Sequence, residues 1–151
     1  METAGSANVR EEPLDGPDRE LLEAALQARS RAYAPYSGFA VGAAVRTADG
    51  RIFAAGNIEN ASYPATICAE RVAASQAVAA GVRHIVAVAV VAGSPGPCAP
   101  CGVCRQFLRE FGPQARIIMA NLEGRVEIRS LQELLPLSFG PGDLGRPDSV
   151  D

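Results

Sequence analysis

Three observations predict an α/β fold, a three-layer α-β-α arrangement around a mixed five-stranded sheet. Two pairs of apolar segments are each joined by a short turn, "FAVGAAVRT" to "RIFAAGNI" and "ARIIMAN" to "RVEIRS", as hairpins require. "HIVAVAVVA" is a nearly continuous apolar run, the pattern of a strand covered on both faces. Helical segments separate these strands, and strands joined both by hairpins and by helical crossovers make a mixed sheet with helices on its faces.

Taken in order, Asp18 is placed to cap a first helix through "RELLEAALQARSRA", where Leu21, Leu22, Ala25, Leu26 and Arg29 suit one stripe with a basic end. "YAPYSG" breaks it. The first two strands follow, turned by the Asp-Gly of "ADGR". A second helix is expected from about Ala69 to Ala80 and ends at Gly81. After the apolar third strand a short helix starts near Gly102, the last two strands flank "LEG", and "LQELL" is a final short helix. Residues 1–17 are rich in Pro, Gly and acid and read as a disordered tail, as does "GPGDLGRPDSVD" at the other end.

The chain of 151 residues, 48% hydrophobic, has the size and composition of one domain with a real core. A net charge of −3 and 14 Lys+Arg with no basic run give no footprint for a phosphate backbone, so a nucleic acid polymer is not an expected partner. No apolar run approaches the roughly 20 residues that span a bilayer, and no membrane partner is expected. The N-terminus lacks an apolar leader segment, and the expectation is a soluble, cytoplasmic protein.

The four cysteines are unevenly placed: Cys68 is alone, while Cys98, Cys101 and Cys104 fall three apart. Such clustering suggests a metal or redox site before a disulfide framework. Cys68 precedes one expected helix, and Cys101 and Cys104 open the next. Helix N-termini favour thiolates through their free N–H groups and dipole. Three thiolates gathered there make a zinc site with a fourth position open for water, which is the arrangement of a catalytic centre. Glu70, two residues beyond Cys68, is then placed to act on that water as base and later as acid. Arg71 and the helix dipoles are candidates to offset the charge of three thiolates. Other readings stand beside these. A Glu in a first helical turn commonly serves the dipole, a single Cys is commonly a small core residue, and "CGVC" alone could be a redox dithiol.

The joint pattern, "CAE" followed 30 residues after its Glu by "PCGVC", matches the zinc deaminase signature with Cys in place of His. The chain resembles the small, homotetrameric cytidine deaminases of pyrimidine salvage in "YAPYSGFAVGAAV", "GRIFAAGNIENASYP", "ICAER", "PCGVCRQFLREFG" and "LQELLPLSFGP". The resemblance spans residues 18–144, and residues 145–151 are left as a flexible tail. It implies a cytidine deaminase-like fold, one Zn2+ per chain on Cys68, Cys101 and Cys104, and Glu70 as the proton shuttle. It also implies that Asn57 and Glu59 of "NIEN" hold the ribose of a nucleoside. An amide and a carboxylate two residues apart at a strand end share one face and suit sugar hydroxyls, although the same residues could be a polar turn. By the same resemblance Phe39 lies beside the nucleoside, although its spacing with Val41 and Val45 also fits the core. The resemblance further implies that the backbone of Ala69 faces the base. Tyr63 and Phe139 are implied to reach a neighbouring subunit's pocket.

"PCAPCGVC" offers two overlapping C-x-x-C pairs. Cys101 and Cys104 are preferred as ligands because Pro100, Gly102 and "RQFLREF" frame that pair, and Cys98 is taken as a spectator. If Cys98 were a fourth ligand, the site would be closed and structural. His84 is read as structural. The activity implied is deamination of cytidine, and by extension of 2′-deoxycytidine. Competing readings are a deaminase of another aminated nucleoside of the blasticidin type, a four-thiolate structural zinc domain and a redox dithiol protein.

Overall fold

The computed structural model describes residues 14–148. Residues 1–13 of the expected N-terminal tail, and 149–151 of the C-terminal one, lie outside the described residues. The first helix, α1 (Gly16–Arg29), begins ahead of its expected start. Asp15, not Asp18, caps it, accepting the Asp18 N–H at 2.7 Å. Pro17 in the first turn explains the shift, because its fixed φ and missing N–H suit that position. Asp18 instead faces inward, 4% exposed, and one of its carboxylate oxygens accepts from Nε and Nη2 of Arg116 at 3.1 and 2.8 Å. The buried stripe of the helix is Asp18, Leu21, Ala25 and Ala28, so Leu26 falls outside it and is exposed.

The strands are β1 (Val41–Thr47), β2 (Ile52–Gly56), β3 (Ile85–Ala92), β4 (Arg116–Asn121) and β5 (Val126–Ser130). They form one five-stranded sheet in the order β2-β1-β3-β4-β5. β1 is antiparallel to β2 and to β3, β3 is parallel to β4, and β5 is antiparallel to β4. The sheet is therefore mixed, as expected, and β2, β3 and β4 all run in the same direction. Their carboxyl ends share one edge.

Three further helices are α2 (Ala69–Ala79), α3 (Gly102–Phe111) and α4 (Leu131–Leu134), the last started by a Ser130–Glu133 capping box. On one sheet face Leu21 and Ala25 of α1 pack on Ala44, Ala87, Ala89, Val91 and Ile118. On the other, Ala73, Ala74 and Ala77 of α2 and Leu108 of α3 pack on Val45, Val88, Val90, Ile117 and Met119. These are the three layers. Gly81, at φ +91°, ends α2 where a side chain would be strained.

Small residues let the first layer sit close. A Cβ on Gly42 would lie 2.0 Å from the carbonyl oxygen of Ala25 and 2.8 Å from the backbone nitrogen of Arg29. Backbone of α1 cannot yield as a side chain would. Gly42→Ala is therefore expected to lower stability by about 3 kcal/mol, the upper range for overpacking, as read from the urea midpoint.

The described part of "GPGDLGRPDSVD", residues 140–148, departs from the tail its composition suggests. Pro141–Leu144 form a 3-10 turn, Gly140 N–H donates to Asp143 at 2.8 Å, and Asp148 pairs with Arg109 at 3.0 Å. Arg109 also donates to Ser138 Oγ at 2.9 Å, so α3 holds the segment on the domain. The reason is long-range, and composition carries no sign of it.

Candidate active site

The shared edge of β2, β3 and β4 decides where the cysteines meet. α2 follows β2 and α3 follows β3, so both helices begin at that edge, where ligands of open α/β sheets gather. Cys68 and Cys101 are the N-cap residues of α2 and α3, each with extended backbone and no side-chain capping bond. Cys104 is one turn into α3, on the same side as Cys101. The Sγ atoms of Cys68, Cys101 and Cys104 lie within 4.8 Å of one another, with Cys68 and Cys101 3.7 Å apart. Cys98 is not in this group.

Protons and charge are divided unevenly over the cluster. The Cys68 thiol is pushed down to about 5, first by a hydrogen bond from Cys104 and then, against the cost of burial, by the Arg71 guanidinium and by Cys101. Cys104 moves the opposite way, well above the ordinary thiol range, because it donates to Cys68, is buried and faces Glu70. Arg71 Nη2 stands 3.6 Å from Cys68 Sγ, and its buried Nε has no hydrogen-bond partner. A guanidinium held beside Cys68 and Cys104 with an unspent donor fits a site that carries excess negative charge. Three convergent soft ligands at two helix N-termini fit one zinc ion.

Glu70, in the first turn of α2, is only 3% exposed, and burial raises its pKa above the ordinary carboxylate value, partly opposed by a hydrogen bond with Cys104. A carboxylate serving only the helix dipole would sit in solvent. This one is aimed into a cavity of about 260 Å³ lined by Phe39, Asn57, Glu59, Cys68, Ala69, Glu70 and Cys101, among others.

Of the expected substrate residues, all but Phe139 fall on this cavity or on the hollow beside it. Phe39 is 44% exposed and lines it, so the core position its spacing also allowed is not the one it takes. β1 starts later than "FAVGAAVRT" suggested because the Asn57 side chain grips the backbone ahead of it: Nδ2 donates to Phe39 O at 3.0 Å and Oδ1 accepts Val41 N–H at 2.9 Å. One Nδ2 hydrogen is left for a ligand. Glu59 accepts from the N–H groups of Tyr36 and Ser37 at 2.9 and 3.1 Å and from the Ser37 hydroxyl. These bonds, Ser37 foremost, hold its carboxyl below the usual range. Tyr63, 71% exposed, lines an adjoining hollow with Tyr36, Ser37, Glu59 and Thr66. Phe139 lines neither; it is 59% exposed, with its carbonyl accepting from Gln106 Nε2 at 3.0 Å.

Sequence reasoning missed Ser37 and Thr66. Ser37 sits in the turn "YSG" and could have been suspected as a turn hydroxyl free to orient a carboxylate. Thr66, which accepts the Asn60 N–H at 3.1 Å, gave no local signal. Cys98 and Ala99 also line the cavity, and burial, with Glu70 nearby, lifts the Cys98 thiol to about 11.

The fold and the site together define a three-layer α/β protein with a three-thiolate metal centre and a buried carboxylate beside it. The family model of the cytidine and deoxycytidylate deaminase zinc-binding region matches residues 16–120. The chain belongs to that family. Among its relatives, the cytidine deaminase of Halalkalibacterium halodurans is 46% identical over 84% of this chain and 98% of its own length. That of Mycobacterium tuberculosis is 43% identical over 81% of this chain and 89% of its own. The crystal structure of cytidine deaminase from Burkholderia pseudomallei superposes with a TM-score of 0.78 at 49% identity, covering 80% of this chain and 98% of that one.

Proposed function

We propose that this chain catalyses the hydrolytic deamination of cytidine, and of 2′-deoxycytidine, to the uridine nucleoside and ammonia. The observation that carries this reading is Glu70, buried beside a three-sulfur cluster in the cavity that also presents Asn57 and Glu59. Cys68, Cys101 and Cys104 would hold one zinc ion. When bound, zinc supplies the positive charge that acidifies a water and makes it a nucleophile near neutral pH. Glu70 takes one proton of the attacking water and gives it to N3 of the cytosine ring. It then takes the second proton, from the hydroxyl that the attack leaves on C4, and passes it to the amine, so that the C4–N bond breaks, ammonia departs and the C4 carbonyl forms. Its raised affinity for a proton suits a group that must both accept and return one.

Asn57 and Glu59 hold the ribose, Phe39 packs beside the nucleoside, and the Ala69 backbone faces the base. The cavity chemistry supports a nucleoside over a nucleotide. Among the described residues, no Lys or Arg lines the cavity or the adjoining hollow, while Glu59 presents an anion that would repel a phosphate. The reading includes a homotetramer in which Tyr63 and Phe139 serve a neighbour's pocket. Its support is a set of exposed apolar residues, Tyr33, Tyr36, Ile58, Tyr63 and Ile67: isolated bridges join Tyr33 to Ile58 and Ile58 to Ile67, and the rings of Tyr36 and Tyr63 are in contact. A role in pyrimidine salvage and a cytoplasmic setting belong to the same reading and rest on family resemblance. Among the described residues, no helix is long and apolar enough to cross a membrane.

The test is the fall in absorbance of cytidine on adding the purified protein, with zinc measured on the same sample and cytosine and cytidine monophosphate run beside it. Turnover of the nucleoside, weak or absent for the other two, with about one zinc per chain, is the expected result. Zinc at that level with no turnover of cytidine or deoxycytidine would end the substrate assignment. Cys98→Ala separates the open site from a closed four-thiolate one. Zinc content should stay unchanged and kcat within about 3-fold, since the substitution removes a cavity wall and not a ligand.

A further inference from the structure

We infer that Asn121 is a positioning residue for the site, holding in place the loop that forms one wall of the cavity and delivers Cys101. The inference rests on the reading that Cys101 holds the metal. The loop runs from Gly93 to Pro100, between β3 and α3, and brings Cys98 and Ala99 to the cavity. It has no regular structure, and Pro95, Pro97 and Pro100 offer no N–H with which to anchor it. Its own bonds are few: Ser94 Oγ donates to Gly96 O at 2.7 Å, and Cys98 N–H donates to Ala120 O at 3.2 Å.

Asn121 supplies what the loop lacks. It is the last residue of β4, in register with Ala92 at the end of β3, and it is 4% exposed. Nδ2 donates to the carbonyls of Ser94 and Pro95 at 3.2 and 3.1 Å. Oδ1 accepts the N–H groups of Glu123 and Arg125 at 3.1 and 3.0 Å. The amide is thus saturated, and its two halves do different things. The oxygen shapes the β4–β5 turn, while the nitrogen pins the loop. At the loop's far end Arg105 Nε donates to Pro100 O at 2.8 Å, so the cavity wall hangs between two side-chain anchors.

The separate halves make a test. Asn121→Asp keeps both acceptances and loses both donations, setting a carboxylate against two carbonyls. In the full chain we expect zinc to pass to a chromophoric chelator about 10-fold faster, KM for cytidine to rise by a similar factor, and amide exchange to quicken across 93–101. The control is Asp18→Asn, which weakens the ion pair to Arg116 away from the site. It should lower the melting temperature without moving zinc release or KM. If Asn121→Asp does not fold, Asn121→Ser, which removes the Oδ1 acceptances together with the Nδ2 donations and adds no charge, is compared with Asp18→Asn at equal loss of melting temperature. Zinc release, KM and loop exchange at wild-type values, or shifted no more than in Asp18→Asn at equal loss of melting temperature, would overturn the inference. A wild-type protein that carries no zinc would instead defeat the metal reading, and exchange in the loop would then decide on Asn121 alone.

Discussion

Glu70→Gln is expected to keep its zinc and lose turnover by about 10⁴-fold, the upper range for a positioned acid–base group. The amide has the carboxylate's size and fills the same space beside Cys104, so the packing of α2 on the sheet should be preserved. What it cannot do is accept a proton from water or return one to the ring and the amine. The site offers no replacement. Among the residues lining the cavity the only other carboxylate is Glu59, and it is committed to Ser37 and Tyr36. Cytidine absorbance followed at saturating substrate, with metal analysis of the same preparation, checks both halves of the expectation. Substantial turnover in the variant would remove Glu70 from the shuttle role, and zinc lost along with activity would make it a support of the metal centre instead.

The second large effect is expected at Cys104. Its side chain is fully buried, at 0% exposure, and its sulfur is central to the cluster's sharing of protons. Cys104→Ala should weaken zinc binding by more than about 100-fold, since loss of an outer partner alone reaches that range. Zinc content should fall from about one per chain to near zero after dialysis, and activity with it. The contrast with Cys98→Ala is the informative part, because both substitutions remove a thiol near the cavity and only one removes a member of the three-sulfur group. Zinc retained at about one per chain in both variants would show that the cluster is not the metal site, and zinc lost from both would make Cys98 a fourth ligand.

Much of this could be read before any fold was known, and the reasons differ from element to element. Cys68, Glu70, Cys101 and Cys104 were legible because helix starts are local: a cap position and a first turn are fixed by a few neighbouring residues. The apolar run of β3 and the Asp-Gly turn between β1 and β2 were legible for the same reason. Leu26 was misread because helical period alone does not set the width of a buried stripe, which depends on how closely α1 lies on β1. Asp18 was misread as a cap because its true partner, Arg116, is distant in sequence. The segment 140–148 looked like a tail because Gly, Pro and Asp do not reveal that Arg109 pairs with Asp148 and that Asp143 accepts the Gly140 N–H.

The division follows sequence distance. The sequence by itself determined the chemistry: which residues are thiols or carboxylates, and which of them stand at helix N-termini. Tertiary structure decided what those groups became. The common direction of β2, β3 and β4 brought two helix starts to one edge, and burial there turned Glu70 from an ordinary first-turn carboxylate into one with a raised proton affinity. Ser37 on Glu59 and Asn121 on Ser94 and Pro95 are contacts across 22 to 27 residues. Neither has a local pattern that could announce it, because a hydrogen bond between distant segments exists only after the sheet has set their positions.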